Sequence, residues 1–402
     1  MRVSVRGMGV RGVMEVFRAF LRLGCTSFGG PVAHLGYFEE EFVRRRKWLT
    51  AETLAELIAV AQSLPGPASS QVGYAIGMLR AGVLGGLAAW VGFTGPSAAL
   101  MFGFAFGHTL FRGAVGAAFL HGLQLVAVAV VATAVLSMQR TLAPERVRLI
   151  FALIAAGVVL YLPANVSTPL VVVLGGLGGF VFLRKVGTKT SESTAGIGSR
   201  RSGVIAAAIF VVLLVASILL RSKDPGFGSL FANFFQAGSI VFGGGHVVLP
   251  MLDNLVVAKG WVSPDAFVSG YGAAQALPGP LFSFVTYLGA VVQPNAHPLA
   301  YGMVALVGIF APGLLLMTAV LPFWSSLRSQ VGVAAALRGI NASVVGVLVA
   351  ALYGTLWVKT VHTPADFLFV VGGFVALMVW RWAPWVVVLV SGGICSLLAW
   401  LR

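Results

Sequence analysis

Two stretches of this chain set helix-breaking glycines and prolines among neutral hydrogen-bond donors, inside strongly apolar sequence. The first reads FLRLGCTSFGGP from Phe20 to Pro31, then QSLPGP from Gln62 to Pro67. The second reads FFQAGSIVFGGG from Phe234 to Gly245, then QALPGP from Gln275 to Pro280. Proline removes a backbone donor and glycine loosens the helix, so each stretch interrupts a helix. In hydrocarbon an unsatisfied backbone group costs several kcal/mol, so such a break survives only inside protein or beside a water-filled cavity. Each break also leaves free N–H groups and the positive end of a helix dipole, which together make a seat for an anion.

The residues that could form such a seat follow from the breaks. In the first copy they are Arg22, Ser27, Gly29, Gly30, Gln62, Pro65, Gly66 and Ser69. In the second they are Gly243, Gly244, Gly245, His246, Gln275, Pro278, Gly279 and Ser283. Arg22 lies six residues before Phe28 in an apolar run, and a guanidinium can fork two oxygens of one anion. Snorkelling to the membrane surface is its alternative role. His246 could donate to an oxyanion or accept a coupling proton, and His34 and Glu56 are further proton-carrier candidates. The bland reading of all these polar groups is helix-to-helix bonding. Four breaks at two matched pairs of positions favour a binding site over chance kinks.

The elements that must hold these residues are membrane helices. The chain is 58% hydrophobic and 10% charged, with a mean hydropathy of +0.95. A soluble chain carries about 25% charged residues, so this one is read as an all-α polytopic membrane protein. Apolar segments are expected at about 17–38, 53–79, 83–111, 113–138, 149–162, 169–183, 203–220, 230–252, 266–291, 299–323, 332–357, 365–380 and 384–401. The polar, basic stretch from Arg184 to Arg201 reads as a linker. The expected division is a first repeat over 1–183, the linker over 184–202, a connecting helix and loop over 203–229, and a second repeat over 230–402. The basic N-terminus lacks the pattern of a cleaved signal peptide. Cys25 and Cys395 both lie in apolar segments and suit neither a disulfide framework nor a thiolate metal site. The net charge of +15 is spread over short loops, which points to membrane topology rather than nucleic-acid binding.

The halves are internally similar. Phe28 aligns with Phe242, Trp48 with Trp261 and Gln62 with Gln275. GFTGPSAALM at Gly92 matches GIFAPGLLLM at Gly308, and HGLQ at His121 matches RGIN at Arg338. Basic residues shift between equivalent loops: Arg44, Arg45, Arg46 and Lys47 face only Lys259, whereas Arg112 alone faces Arg328 and Arg338. With one unpaired segment at 203–220, that shift predicts inverted-topology repeats, the N-terminus inside and the C-terminus outside. The Glu39–Glu41 run reads as a solvated loop with weak ion pairs.

FLRLGCTSFGGPVAHLGYFEEEFVRRRKWL with QSLPGP, and FGGGHVVLPML with QALPGP, resemble the paired signatures of the chromate ion transporter family. The similarity covers both repeats. It implies a secondary transporter that exports chromate from bacterial cells and so confers chromate resistance, placed as a multi-pass protein of the plasma (inner) membrane. The alternatives are a carrier of a sulfate-like oxyanion and a passive anion channel. The partners read this way are chromate or a similar oxyanion with sulfate as competitor, the lipid bilayer and, as a permitted assembly, a homodimer. Nucleic acid is not among them. No P-loop, zinc-protease motif or nucleophile elbow is present, so neither catalysis nor a cofactor or metal is expected.

Overall fold

The computed structural model describes residues 10–107, 113–162, 164–184, 199–220, 224–242, 248–293, 297–328 and 330–401. Most of the expected linker therefore lies outside the described residues. The first half comprises α1 (Val10–Thr26), α2 (Gly30–Phe38), α3 (Ala51–Ser63), α4 (Ala68–Gly107), α5 (Ala114–Leu142), α6 (Arg146–Tyr161) and α7 (Ala164–Phe182). A separate helix, α8 (Arg200–Leu219), follows. The second half comprises α9 (Phe227–Ile240), α10 (Val248–Leu252), α11 (Pro264–Gln275), α12 (Phe284–Val292), α13 (Pro298–Val320), α14 (Trp324–Arg328), α15 (Val331–Ala351), α16 (Val358–Thr360), α17 (Pro364–Met378) and α18 (Pro384–Trp400).

By length and apolar composition, five helical stretches among the described residues can cross a bilayer: 68–107, 114–142, 200–219, 298–323 and 331–360. At ~1.5 Å per residue, α4 would be about twice as long as a hydrocarbon core is thick. It turns instead at Ala81 and Gly82, whose backbones leave the helical region. Its two arms then pack so closely that a Cβ on Gly77 would lie 2.3 Å from the Gly85 carbonyl oxygen. In the second half the equivalent stretch is already two helices, α12 and α13.

The duplication is visible bond by bond. A π-helical turn follows the first break at Glu39–Arg45, and another follows the second at Asp253–Val257. Trp48 and Leu49 amides donate to the Phe42 carbonyl; Trp261 and Val262 amides donate to the Val256 carbonyl. Arg46 stands over the Trp48 ring at 5.3 Å, and Lys259 over Trp261 at 4.7 Å. Thr50 caps α3 and Ser263 caps α11, each accepting from the amide three residues on. The glutamate run departs from the loop reading: Glu41 is buried, held by Arg46 at 2.6 Å and Arg45 at 3.0 Å. Its two arginine partners satisfy the carboxylate that burial would otherwise penalise.

The halves exchange helices. α5 of the first packs on α17 and α18 of the second, and α15 of the second packs on α6 and α7 of the first. The largest buried cluster accordingly mixes Ala98, Met101 and Val128 with Phe234, Phe284 and Leu348. Glycines at equivalent positions make both contacts possible. A Cβ on Gly122 would lie 2.8 Å from Gly392 Cα, and one on Gly339 would lie 2.0 Å from the Gly175 carbonyl oxygen. With lipid on the outside, such close backbone approach is what holds membrane helices together.

Candidate functional site

The breaks fall where the residue types predict, and they clasp one another across the halves. α1 ends at Thr26, and Gly29 takes a left-handed conformation (φ 101°) before α2 starts with Pro31 in its first turn. The two LPGP turns contain Gly66 (φ 120°) and Gly279 (φ 91°), a region that favours glycine. The Gly279 amide donates to the Ser27 carbonyl at 2.8 Å, so the second half's turn is tied to the first half's break. The Gly66 amide donates to the Val241 carbonyl at 2.7 Å, the equivalent bond in the opposite sense. The crossed helices at each turn also match. Gly66 abuts Gly313 of α13, and Gly279 abuts Ser97 of α4, the aligned positions of the two halves. One difference is Gln71, whose Nε2 donates to the Pro65 carbonyl at 2.9 Å and the Gly313 carbonyl at 3.2 Å; its counterpart is Phe284.

At the Ser27–Gly279 junction lies a cavity of about 380 Å³. Its floor is Gly29, Gly30 and Pro31; one wall is the α5 face Val130, Thr133, Ala134, Ser137 and Met138. Gln275, Leu277, Gly279 and Leu281 form a second wall, and Leu377, Met378, Trp382 and Pro384 a third. Among the described residues, none that lines it is charged. The donors are neutral: the first amides of α2, which have no helical acceptor, the Ser137 hydroxyl, and Gln275. Gln275 Nε2 is buried and makes no hydrogen bond of good geometry, although the Tyr271 side chain approaches it. Thr133 donates to the Val130 carbonyl at 2.7 Å, which leaves its oxygen as an acceptor. Cations stand close in sequence to the lining: Arg381 between Met378 and Trp382, with a strained φ of 56°, and Arg140 just after Met138.

The predicted residues divide accordingly. Gly29, Gly30, Gln275 and Gly279 meet in the cavity. Ser27 and Gly66 form the inter-half hydrogen bonds, and Pro278 is buried in the second turn. Ser69 lies behind the break, 3.2 Å from Nδ1 of the buried His34, whose ring also approaches the Ser27 backbone. The Pro65 carbonyl is taken by Gln71, and Ser283 is buried at the start of α12. Gln62 is exposed, its carbonyl accepting from Asn341 at 3.4 Å. Glu56 is half-buried on α3, away from the cavity lining. Arg22 is not brought to the cavity: it is exposed on the outer face of α1, because the break at Ser27–Gly29 leaves it on the helix before the bend. Gly243, Gly244, Gly245 and His246 lie outside the described residues. Thr133, Ser137 and Trp382 escaped the sequence reading. Their signals were a hydroxyl pair one turn apart on an apolar helix and the WRWAPW run at Trp380.

A duplicated all-helical membrane fold with crossed, broken helices around a neutral polar cavity defines a membrane transport protein. The chain belongs to the chromate transporter family, whose pattern matches residues 14–180 and again 228–397. It is 30% identical over 351 residues to a chromate transport protein of Pseudomonas aeruginosa, covering 83% of this chain and 79% of that one. It is 25% identical to a probable chromate transport protein of Synechococcus elongatus, covering 96% of each chain. A chromate transport protein of Cupriavidus metallidurans is 24% identical over 83% of this chain and 80% of its own length. No solved structure matches the chain. The protein is thus a multi-pass transporter of the inner membrane, with lipid as its solvent and transport rather than catalysis as its role.

Proposed function

We propose that the protein exports chromate, or a closely related tetrahedral oxydianion, by alternating access around the cavity at the Ser27–Gly279 junction. The observation that carries this reading is the reciprocal pair of bonds, Gly279 to Ser27 and Gly66 to Val241. Each half's turn rides on the other half's break, so rocking one half against the other reshapes both seats together. The cavity of about 380 Å³ has room for a small oxyanion with part of its hydration, given ~30 Å³ per water. The α2 amides, Gln275 Nε2 and Ser137 Oγ serve as ligands, and Arg381 and Arg140 raise the local anion concentration. A seat built of dipoles and neutral donors binds a dianion without trapping it, as turnover requires.

The repeats are read as inverted, with α8 as the odd crossing that turns the second half over. Exit of a dianion from a negative interior is favoured by about 2.3 kcal/mol per charge per 100 mV. The potential alone is therefore a sufficient driving force, and His34, the buried imidazole behind the break, is the candidate for any coupled proton.

The test is labelled chromate and sulfate flux in vesicles holding the purified protein, under set potential and pH gradients. The expected result is saturable, potential-driven chromate flux that sulfate competes with. Unsaturable current would make the protein a channel, and faster sulfate flux would reassign its substrate.

A further inference from the structure

Helix α1 carries a basic stripe that the transport site does not use. Arg11, Arg18 and Arg22 follow one another at seven and four residues, which puts them on one face of a helix. All three are exposed, and among the described residues none has an ion-pair partner. The acids within reach are already engaged: Glu15 with Arg80 at 3.1 Å, and Glu41 with Arg45 and Arg46, Arg22 adding only a longer-range attraction to Glu41. Between the stripe and the following turn lies a hollow of about 460 Å³, lined by Arg11, Met14, Glu15, Arg18 and Arg46.

The duplication shows what this face should meet. In the second half the equivalent helix is α9, and the positions matching Arg18, Leu21 and Arg22 are Ala232, Phe235 and Gln236. Ala232 and Phe235 are fully buried. α8 covers that face: Gln236 Nε2 donates to the Ser217 carbonyl at 2.6 Å, and the Phe210 and Phe235 rings lie 6.0 Å apart. Among the described residues nothing covers α1 in this way, and Arg18, Leu21 and Arg22 are exposed. A face meeting only acyl chains would be apolar. Here arginines alternate with the exposed Met14 and Leu21, the composition of a helix lying at the headgroup boundary. Trp48, with Arg46 and Arg80 stacked over it at 5.3 and 5.1 Å, sits beside the hollow as an aromatic belt residue would.

We infer that this α1 face is a binding site for anionic phospholipid headgroups, with phosphate oxygens accepting from Arg11, Arg18 and Arg22. Planar guanidiniums pair with phosphate in forked hydrogen bonds. Basic residues on an amphipathic helix each strengthen binding to a strongly anionic surface about fivefold. The site is anatomically separate from the transport cavity and does not depend on which anion is carried.

The test compares the purified full-length protein with its R11Q/R18Q/R22Q variant in neutral detergent. Thermal unfolding is followed with added phosphatidylglycerol, phosphatidylcholine or inorganic phosphate, and native mass spectrometry counts bound lipid. Phosphatidylglycerol is expected to raise the wild-type midpoint by several degrees and to remain bound, with phosphatidylcholine doing neither. The triple variant is expected to lose that rise while keeping the midpoint it has in phosphatidylcholine. If it does not fold, R18Q alone should bind phosphatidylglycerol about fivefold more weakly. An equal rise in variant and wild type would overturn the proposal. So would an equal rise with inorganic phosphate, which would mark a small-anion site, or loss of a dimer without any lipid effect, which would mark a face for a second copy.

Discussion

Gly279→Ala is expected to lower chromate flux by tenfold or more, and Gly66→Ala to do the same, with both proteins still inserted in the membrane. Gly279 holds φ 91° and Gly66 φ 120°, where a side chain costs of order 1–3 kcal/mol. Space is also short. A Cβ on Gly279 would lie 2.9 Å from Ser97 Oγ and 3.1 Å from the Phe93 carbonyl oxygen; one on Gly66 would lie 3.0 Å from Gly313 Cα. The chain's escape from that strain is to rotate the turn, which pulls the amide off Ser27 or Val241 and opens the junction where the halves meet. A shift of about 1.4 kcal/mol between the states of a carrier is already tenfold in their populations. Gly82→Ala separates strain from junction. Gly82 is also at positive φ (68°), but a Cβ there meets nothing within 4 Å. It should cost stability and leave flux largely intact. Vesicle flux normalised to incorporated protein decides the matter; wild-type rates for both junction variants would detach transport from this contact.

Gly339→Leu is expected to abolish folding outright or to lower the unfolding midpoint on the order of 10 °C. A Cβ there would lie 2.0 Å from the Gly175 carbonyl oxygen and 2.6 Å from Gly179 Cα, both backbone atoms that cannot swing aside. Further along α15, a Cβ on Gly346 would lie 1.9 Å from the Ala152 carbonyl oxygen, so α15 touches α6 and α7 along two glycine contacts. Separating these helices empties the close packing that substitutes for hydrophobic drive in lipid, a loss above the ~3 kcal/mol of most point changes. Gly372→Ala in α17 is the contrast: nothing lies within 4 Å, and alanine is the better helix former by ~1 kcal/mol. Size-exclusion profiles and thermal scans in detergent read both variants. A monodisperse, wild-type-stable Gly339→Leu protein would contradict the exchanged packing of the halves.

Much of this was legible in the sequence because glycine and proline act locally. A left-handed turn at Gly66 or Gly279 needs glycine wherever the rest of the chain goes, and the duplication repeats the requirement. Facing was not legible. Thr133 and Ser137 look like any hydroxyl residues of an apolar helix until α5 is placed against the FGGP break. Arg22 shows the converse. A charge inside an apolar run suggests burial, but the break at Ser27–Gly29 ends α1 early and leaves Arg22 in register with Arg18 and Arg11. That spacing of seven and four was present in the sequence and pointed outward. Gln236, its counterpart, differs because α8 covers α9, a contact between segments that periodicity does not report. The exchange of helices between halves was likewise invisible, since the glycines that permit it have no partner until the fold supplies one.

The proposed oxyanion seat is the cavity between the FGGP break and the second LPGP turn. Equilibrium binding of labelled chromate to the purified protein, compared with Ser137→Ala/Gln275→Leu, tests it most directly. A hydrogen bond to a charged group contributes about 1.5–3 kcal/mol. Wild type should bind saturably, and the double variant should bind at least a hundredfold more weakly with its thermal stability unchanged. Equal affinity in the two proteins would place the anion elsewhere.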